Sequence, residues 1–75
     1  MKPEDAVSVY RVIEVIGTST QSWEDAAVTA VSTARKSLRD LRVAEVVAQD
    51  LHIEDDNEVV FRTKLQLSFK YEPEH

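Results

Sequence analysis

Seventy-five residues leave room for one domain, near the lower limit for a self-sufficient core. The chain has no cysteine to form a disulfide or a thiolate metal site, so stability must come from close packing or from association of several copies. A net charge of -5, from 14 acidic and 9 basic residues, argues against nucleic acid and anionic membranes as partners, because both need a basic footprint. No apolar run approaches the roughly 20 residues that span a bilayer. The opening Met1-Lys2-Pro3-Glu4-Asp5 lacks the apolar centre of a signal peptide, and the cytoplasm is the expected compartment.

Residues Ala6–Ile16 are expected to form the first strand, because Val7, Val9, Val12, Ile13, Val15 and Ile16 suit a pleated surface. Apolar residues fall on both of its faces, so both faces are expected to be covered. Gly17, the only glycine, ends the strand and opens a turn that runs from Thr18 to Gln21. A glycine before a helix invites an anion at the helix N-terminus, but a permissive backbone is reason enough for it here. Ser22 is placed to cap a helix over Trp23–Asp40, with Asp25 completing a weaker capping box. Trp23, Ala26, Ala27, Ala30, Val31, Ala34, Leu38 and Leu41 recur every three or four residues and make one apolar stripe. Trp23 on that stripe belongs in the core or at a subunit interface. Arg35, Lys36 and Arg39 complement the helix dipole in its last turns; with Arg11 and Arg42 they could form a basic patch.

Arg42–Ile53 reads as a second strand with Val43, Val47, Leu51 and Ile53 on one face, interrupted by Glu45 and Gln49. Glu54-Asp55-Asp56-Asn57 is an acidic turn. Glu58–Tyr71 alternates almost perfectly: Val59, Phe61, Thr63, Leu65, Leu67, Phe69 and Tyr71 on one face, and mostly polar residues on the other. The order is β-α-β-β, an α+β fold in which the third strand lies between the first two and runs antiparallel to both. Residues 1–75 form one domain, with 1–5 and 72–75 loose. The last strand would extend about 45 Å, whereas the helix would be about 27 Å long. One helix cannot cover such a sheet, which points to an obligate oligomer.

The runs Val9-Tyr10-Arg11-Val12-Ile13-Glu14-Val15-Ile16-Gly17-Thr18-Ser19 and Ser22-Trp23-Glu24-Asp25-Ala26, followed by Leu38-Arg39-Asp40-Leu41-Arg42, Glu45-Val46-Val47 and Leu65-Gln66-Leu67-Ser68-Phe69, resemble the dodecin family in order and spacing. The resemblance runs from about Val9 to Tyr71. It implies a βαββ fold whose copies assemble into a hollow homododecamer. It also implies non-enzymatic binding or storage of flavins, stacked in pairs between subunits. Two positions depart from the family pattern. Val43 stands where a tryptophan stacks on the isoalloxazine ring, and Arg62 where a glutamine hydrogen-bonds the flavin's polar edge. Valine lacks the flat aromatic surface, and arginine donates but cannot accept. Binding of FMN, riboflavin or FAD is therefore expected to be weak or lost, although Arg62 could meet a phosphate or carboxylate.

No catalytic constellation is present. His52 has neither a second histidine nor a cysteine for zinc, and Ser19 and Ser22 have no histidine to activate them. Glu54, Asp55 and Asp56, followed by Glu58, are hard oxygen donors of the kind that calcium or magnesium takes, but their spacing lacks the glycine and alternation of an EF-hand loop, and a solvated acidic turn is the preferred reading. In a symmetric assembly one carboxylate per subunit becomes a ring, which adds Glu14, Glu45 and Asp50 to the candidates. Two readings follow: a shell that binds a small ligand or ion, or a structural assembly whose acidic exterior docks another protein.

Overall fold

The computed structural model describes residues 8–71. Strand β1 (Tyr10–Ser19), helix α1 (Trp23–Arg35), β2 (Leu41–Ile53) and β3 (Val59–Lys70) follow in order. The sheet order is β1-β3-β2, with β3 antiparallel to both neighbours, as expected. Ala6 and Val7 of the expected first strand lie outside the described residues, as do residues 1–5 and 72–75.

Gly17 does not end β1. It pairs with Thr63 in the middle of the ladder, and no glycine has a positive φ, so the freedom of its backbone is not what places it there. A Cβ at Gly17 would land on the Ala26 carbonyl oxygen and come within 2.9 Å of Ala30 Cβ. The missing side chain lets α1 lie directly on the strand. The turn begins later, at Thr20.

Ser22 caps α1 as expected: its Oγ accepts from Asp25 N at 2.9 Å. The box is not reciprocal. Asp25 Oδ2 accepts from the Ser19 hydroxyl at 2.7 Å, which fastens the helix start to the end of β1. The helix stops at Arg35 rather than Asp40. Sheet pairing overrides helix propensity: Asp40 O already accepts from Lys70 N at 3.1 Å, and Asp40 turns the chain with φ 58, a left-handed conformation that aspartate tolerates. Of the expected dipole-matched cations only Arg35 lies in the last turn.

The face expected for β3 is found. Thr63, Leu65, Leu67 and Phe69 are buried beneath α1, with Ile13, Val15, Ala27, Ala30, Val31, Ala34 and Leu41 packed around them. The face expected for β2 is not. Register shifts between Leu41 and Val43 and between Val46 and Ala48 insert an extra residue twice. Each bulge reverses the alternation, so Val43 and Glu45 face away from the helix while Leu51 and Ile53 lie on the helix side. Thr63 is the one buried polar side chain among the described residues; its hydroxyl donates to Trp23 O at 2.9 Å.

Helix α1 packs on β1 and β3 and barely reaches β2. The described residues span 53 × 21 × 15 Å, a long blade with one short helix on it. Val46, Leu51 and Ile53, on the helix side of β2, are exposed. So are Tyr10, Val12 and Ile16 on the far side of β1. The second face of β1 is therefore not covered within a single chain.

Candidate functional site

Side chains on the far side of the sheet form one continuous open face, because cross-strand partners project to the same side. Its rows follow from the register. Val12, Ser68 and Val43 make one; Glu14, Gln66 and Glu45 the next; Ile16, Lys64 and Ala48 a third; Thr18, Arg62 and Asp50 a fourth. Five of the expected residues (Glu14, Val43, Glu45, Asp50 and Arg62) share this face, and the strand pattern explains why. Alternation on β1 and β3 puts every second residue there; on β2 the first bulge brings Val43 and Glu45 round to it, and the second keeps Asp50 on that same face.

Val43 and Arg62 nevertheless lie in different rows. Val43 pairs with Ser68 and Arg62 with Asp50, which separates them by about 20 Å along β3. One chain cannot close both on a single small ring system, so any site using both must combine copies.

Glu14 and Glu45 flank Gln66, with their backbones about 10 Å apart. Gln66 Nε2 donates to Glu14 Oε2 at 3.4 Å, and Lys64 Nζ stands 4.0 Å from Glu14 Oε1. Asp50 takes a different part. Its carboxylate accepts Arg62 Nε at 2.7 Å and Nη2 at 2.8 Å, the paired geometry of a charge-assisted guanidinium–carboxylate bond. That hydrogen bonding holds the Asp50 carboxyl below its ordinary range and pushes Arg62 above its own. A carboxyl depressed on folding stabilises above its unfolded pKa and loses that contribution as pH falls through the folded value. Stability should therefore decline below about pH 4 in a component that Asp50→Asn lacks; thermal melts of both proteins across that range check it.

Trp23 anchors this corner from the helix side. Its Nε1 donates to Asp50 O at 3.1 Å, and its ring meets Phe61 edge-on, with centroids 5.2 Å apart. Trp23, expected in the core or at a subunit interface, is partly buried within one chain and ties α1 to the edge strand β2.

Glu54, Asp55 and Asp56 lie in the exposed β2–β3 turn. Glu54 Oε2 stands 3.1 Å from His52 Nε2, and Asp56 Oδ1 accepts from Glu58 N at 3.0 Å. The turn closes with Asn57 at φ 67 and Asn57 N donating to Glu54 O at 2.8 Å. No three His, Cys, Asp or Glu side chains among the described residues gather to hold a metal ion. The six candidate ligands are thus split among the Glu14–Glu45 row, the Asp50–Arg62 pair and the turn. The expected basic patch forms only in part. Arg11 and Arg39 meet Lys70 around a cavity of about 400 Å³ at the C-terminal end of α1, whereas Arg42 lies 3.8 Å from Asp40.

The family profile described as Dodecin matches residues 9–72. The chain belongs to the dodecin family. It is 49% identical over 67 residues to a calcium dodecin of Mycobacterium tuberculosis, covering 89% of this chain and 94% of that protein. The crystal structure of that organism's calcium dodecin, described as calcium-chelating with a novel calcium-binding site, superposes with a TM-score of 0.80 at 48% identity, over 91% of this chain and 97% of that one. The dodecin of Streptomyces coelicolor gives 0.81 at 36% identity, over 89% and 96%.

On this dodecin sheet, Lys64 and Gln66 are polar neighbours of the candidate residues that sequence reasoning did not single out. Their own strand made their side of the sheet legible. Their company did not show, because it depends on the bulged register of β2.

Proposed function

We propose that this dodecin is a non-enzymatic, calcium-binding shell of twelve copies, with residues 1–75 as its single domain and the cytoplasm as its compartment. The observation that carries this reading is the open face. Apolar Val12, Ile16 and Val43 are exposed there beside the carboxylates Glu14 and Glu45, and neither set is completed within one chain. Covering an apolar face with further copies gains roughly 25 cal/mol per Å² removed from water. The same contacts would multiply each carboxylate by symmetry.

Calcium takes six to eight oxygens from flexible sets of carboxylates, amide carbonyls and water. Glu14, Glu45 and the side-chain carbonyl of Gln66 supply donors of that kind, one row per copy. Asp50 is committed to Arg62 and is the weaker candidate; Glu54, Asp55 and Asp56 are an alternative set on the exposed turn. The calcium named for the Mycobacterium tuberculosis relative, matched both in sequence and in its crystal structure, supports a cation as the ligand.

Typical flavin binding is predicted weak or absent, because Val43 offers no ring and Arg62 already holds a carboxylate. Calorimetric titration of chelator-treated protein should give saturable calcium binding in a fixed ratio to chains, lost in Glu14→Gln with Glu45→Gln. Absence of a saturating heat in the unsubstituted protein would overturn the calcium reading. Riboflavin fluorescence should stay unquenched at nanomolar protein, and Val43→Trp with Arg62→Gln should restore quenching.

A further inference from the structure

The Asp50–Arg62 pair lies in a cavity of about 160 Å³ on the open face, walled by Ile16, Ala48 and Lys64. The pocket holds two cationic side chains and one carboxylate. Arg62 spends its Nε and Nη2 side on both oxygens of Asp50, at 2.7 and 2.8 Å, which is how a guanidinium grips a phosphate or carboxylate from outside. Lys64 Nζ pairs loosely with Glu14 at 4.0 Å, too far for a hydrogen bond, so a further anion competes there only with a long ion pair. Asp50 thus stands where an anionic ligand would stand.

Its backbone is held from the other side of the sheet. Trp23 donates to Asp50 O at 3.1 Å, and the indole is fixed in turn by Phe61 and by the buried Thr63 hydroxyl on the Trp23 carbonyl. The Asp50 side chain can therefore leave Arg62 by rotating, while its backbone stays anchored.

We propose that this pocket is an oxyanion site occupied by the chain's own Asp50, and that a phosphate- or carboxylate-bearing ligand enters by displacing Asp50 from Arg62. The ligand has the opposite charge to the cation of the calcium reading and is gripped by Arg62 rather than by the row of Glu14, Gln66 and Glu45. Lys64 of the pocket nevertheless stands 4.0 Å from Glu14, so the test leaves calcium out. Asp50 is the specificity-determining residue. Being intramolecular, it competes at high effective concentration, and the site admits only an oxyanion that also engages Lys64 or the apolar wall of Ile16 and Ala48.

The test is an orthophosphate titration in calcium-free buffer at constant ionic strength. It follows the fluorescence of Trp23, the only tryptophan in the chain, whose indole bonds the Asp50 backbone beside the pocket and so reports the change of charge next to it. Asp50→Asn keeps the shape and removes the competing charge; it should bind phosphate about ten-fold or more tighter than the unsubstituted protein. Asp50→Asn with Arg62→Gln should lose that binding. Equal affinity of Asp50→Asn and the unsubstituted protein overturns the proposal, as does a double variant that binds like the single one. If Asp50→Asn fails to fold, phosphorus NMR decides on the unsubstituted protein: millimolar orthophosphate should broaden with it and stay sharp with Arg62→Gln, and equal linewidths overturn the proposal. Calcium is absent throughout, so failure of the calcium reading leaves these outcomes unchanged.

Discussion

Gly17→Ala should destabilise the fold by roughly 3 kcal/mol, the upper range for forcing a methyl group into a filled interior. The added Cβ meets backbone on one side, the Ala26 carbonyl, and the Ala30 side chain at 2.9 Å on the other. A flexible side chain could swing away; a helix carbonyl cannot move without lifting α1 from β1. That helix covers Leu65 and Leu67, so the displacement spreads into the small core. Denaturant unfolding checks this: the midpoint should fall well below that of the parent with a similar slope. A shift under about 0.5 kcal/mol, the usual range for harmless surface changes, would mean that the helix does not sit on Gly17 as described.

Leu67→Ala should cost a similar amount, about 3 kcal/mol, from lost burial and the cavity left behind. Leu67 is 0% exposed, at the centre of β3, with Ile13 opposite on β1 and Ala44 on β2. Ala44 is too small to fill the gap, and few buried residues share the load. The same denaturation series measures the effect. A loss under about 1 kcal/mol, below the usual range for a buried leucine, would place Leu67 outside the core.

These residues also show what could be read in advance. The strand–helix–strand–strand order, the capping serine and the buried face of β3 were legible because each rests on local periodicity or local chemistry. Gly17 was legible as special, but for the wrong reason. A turn is a local expectation, whereas contact with Ala26 depends on how the helix folds back. The end of α1 was missed because Asp40 is drawn into the sheet by Lys70, a partner thirty residues on. On β2 the bulges at Arg42 and Val47 left no mark in the pattern, since valine and alanine occur on both faces. Those two irregularities decided the site: the first turns Val43 and Glu45 to the open face, and the second keeps Asp50 on it, opposite Arg62.

The account rests on one claim, that the open sheet is completed by other copies of the chain. Native mass spectrometry in calcium-containing ammonium acetate tests it most directly. Chains of 8.5 kDa should appear as a single closed species near 100 kDa, about twelve copies, carrying calcium in a fixed ratio to chains. A stable monomer or dimer at micromolar concentration, with the apolar residues of the open face left in water, would contradict it.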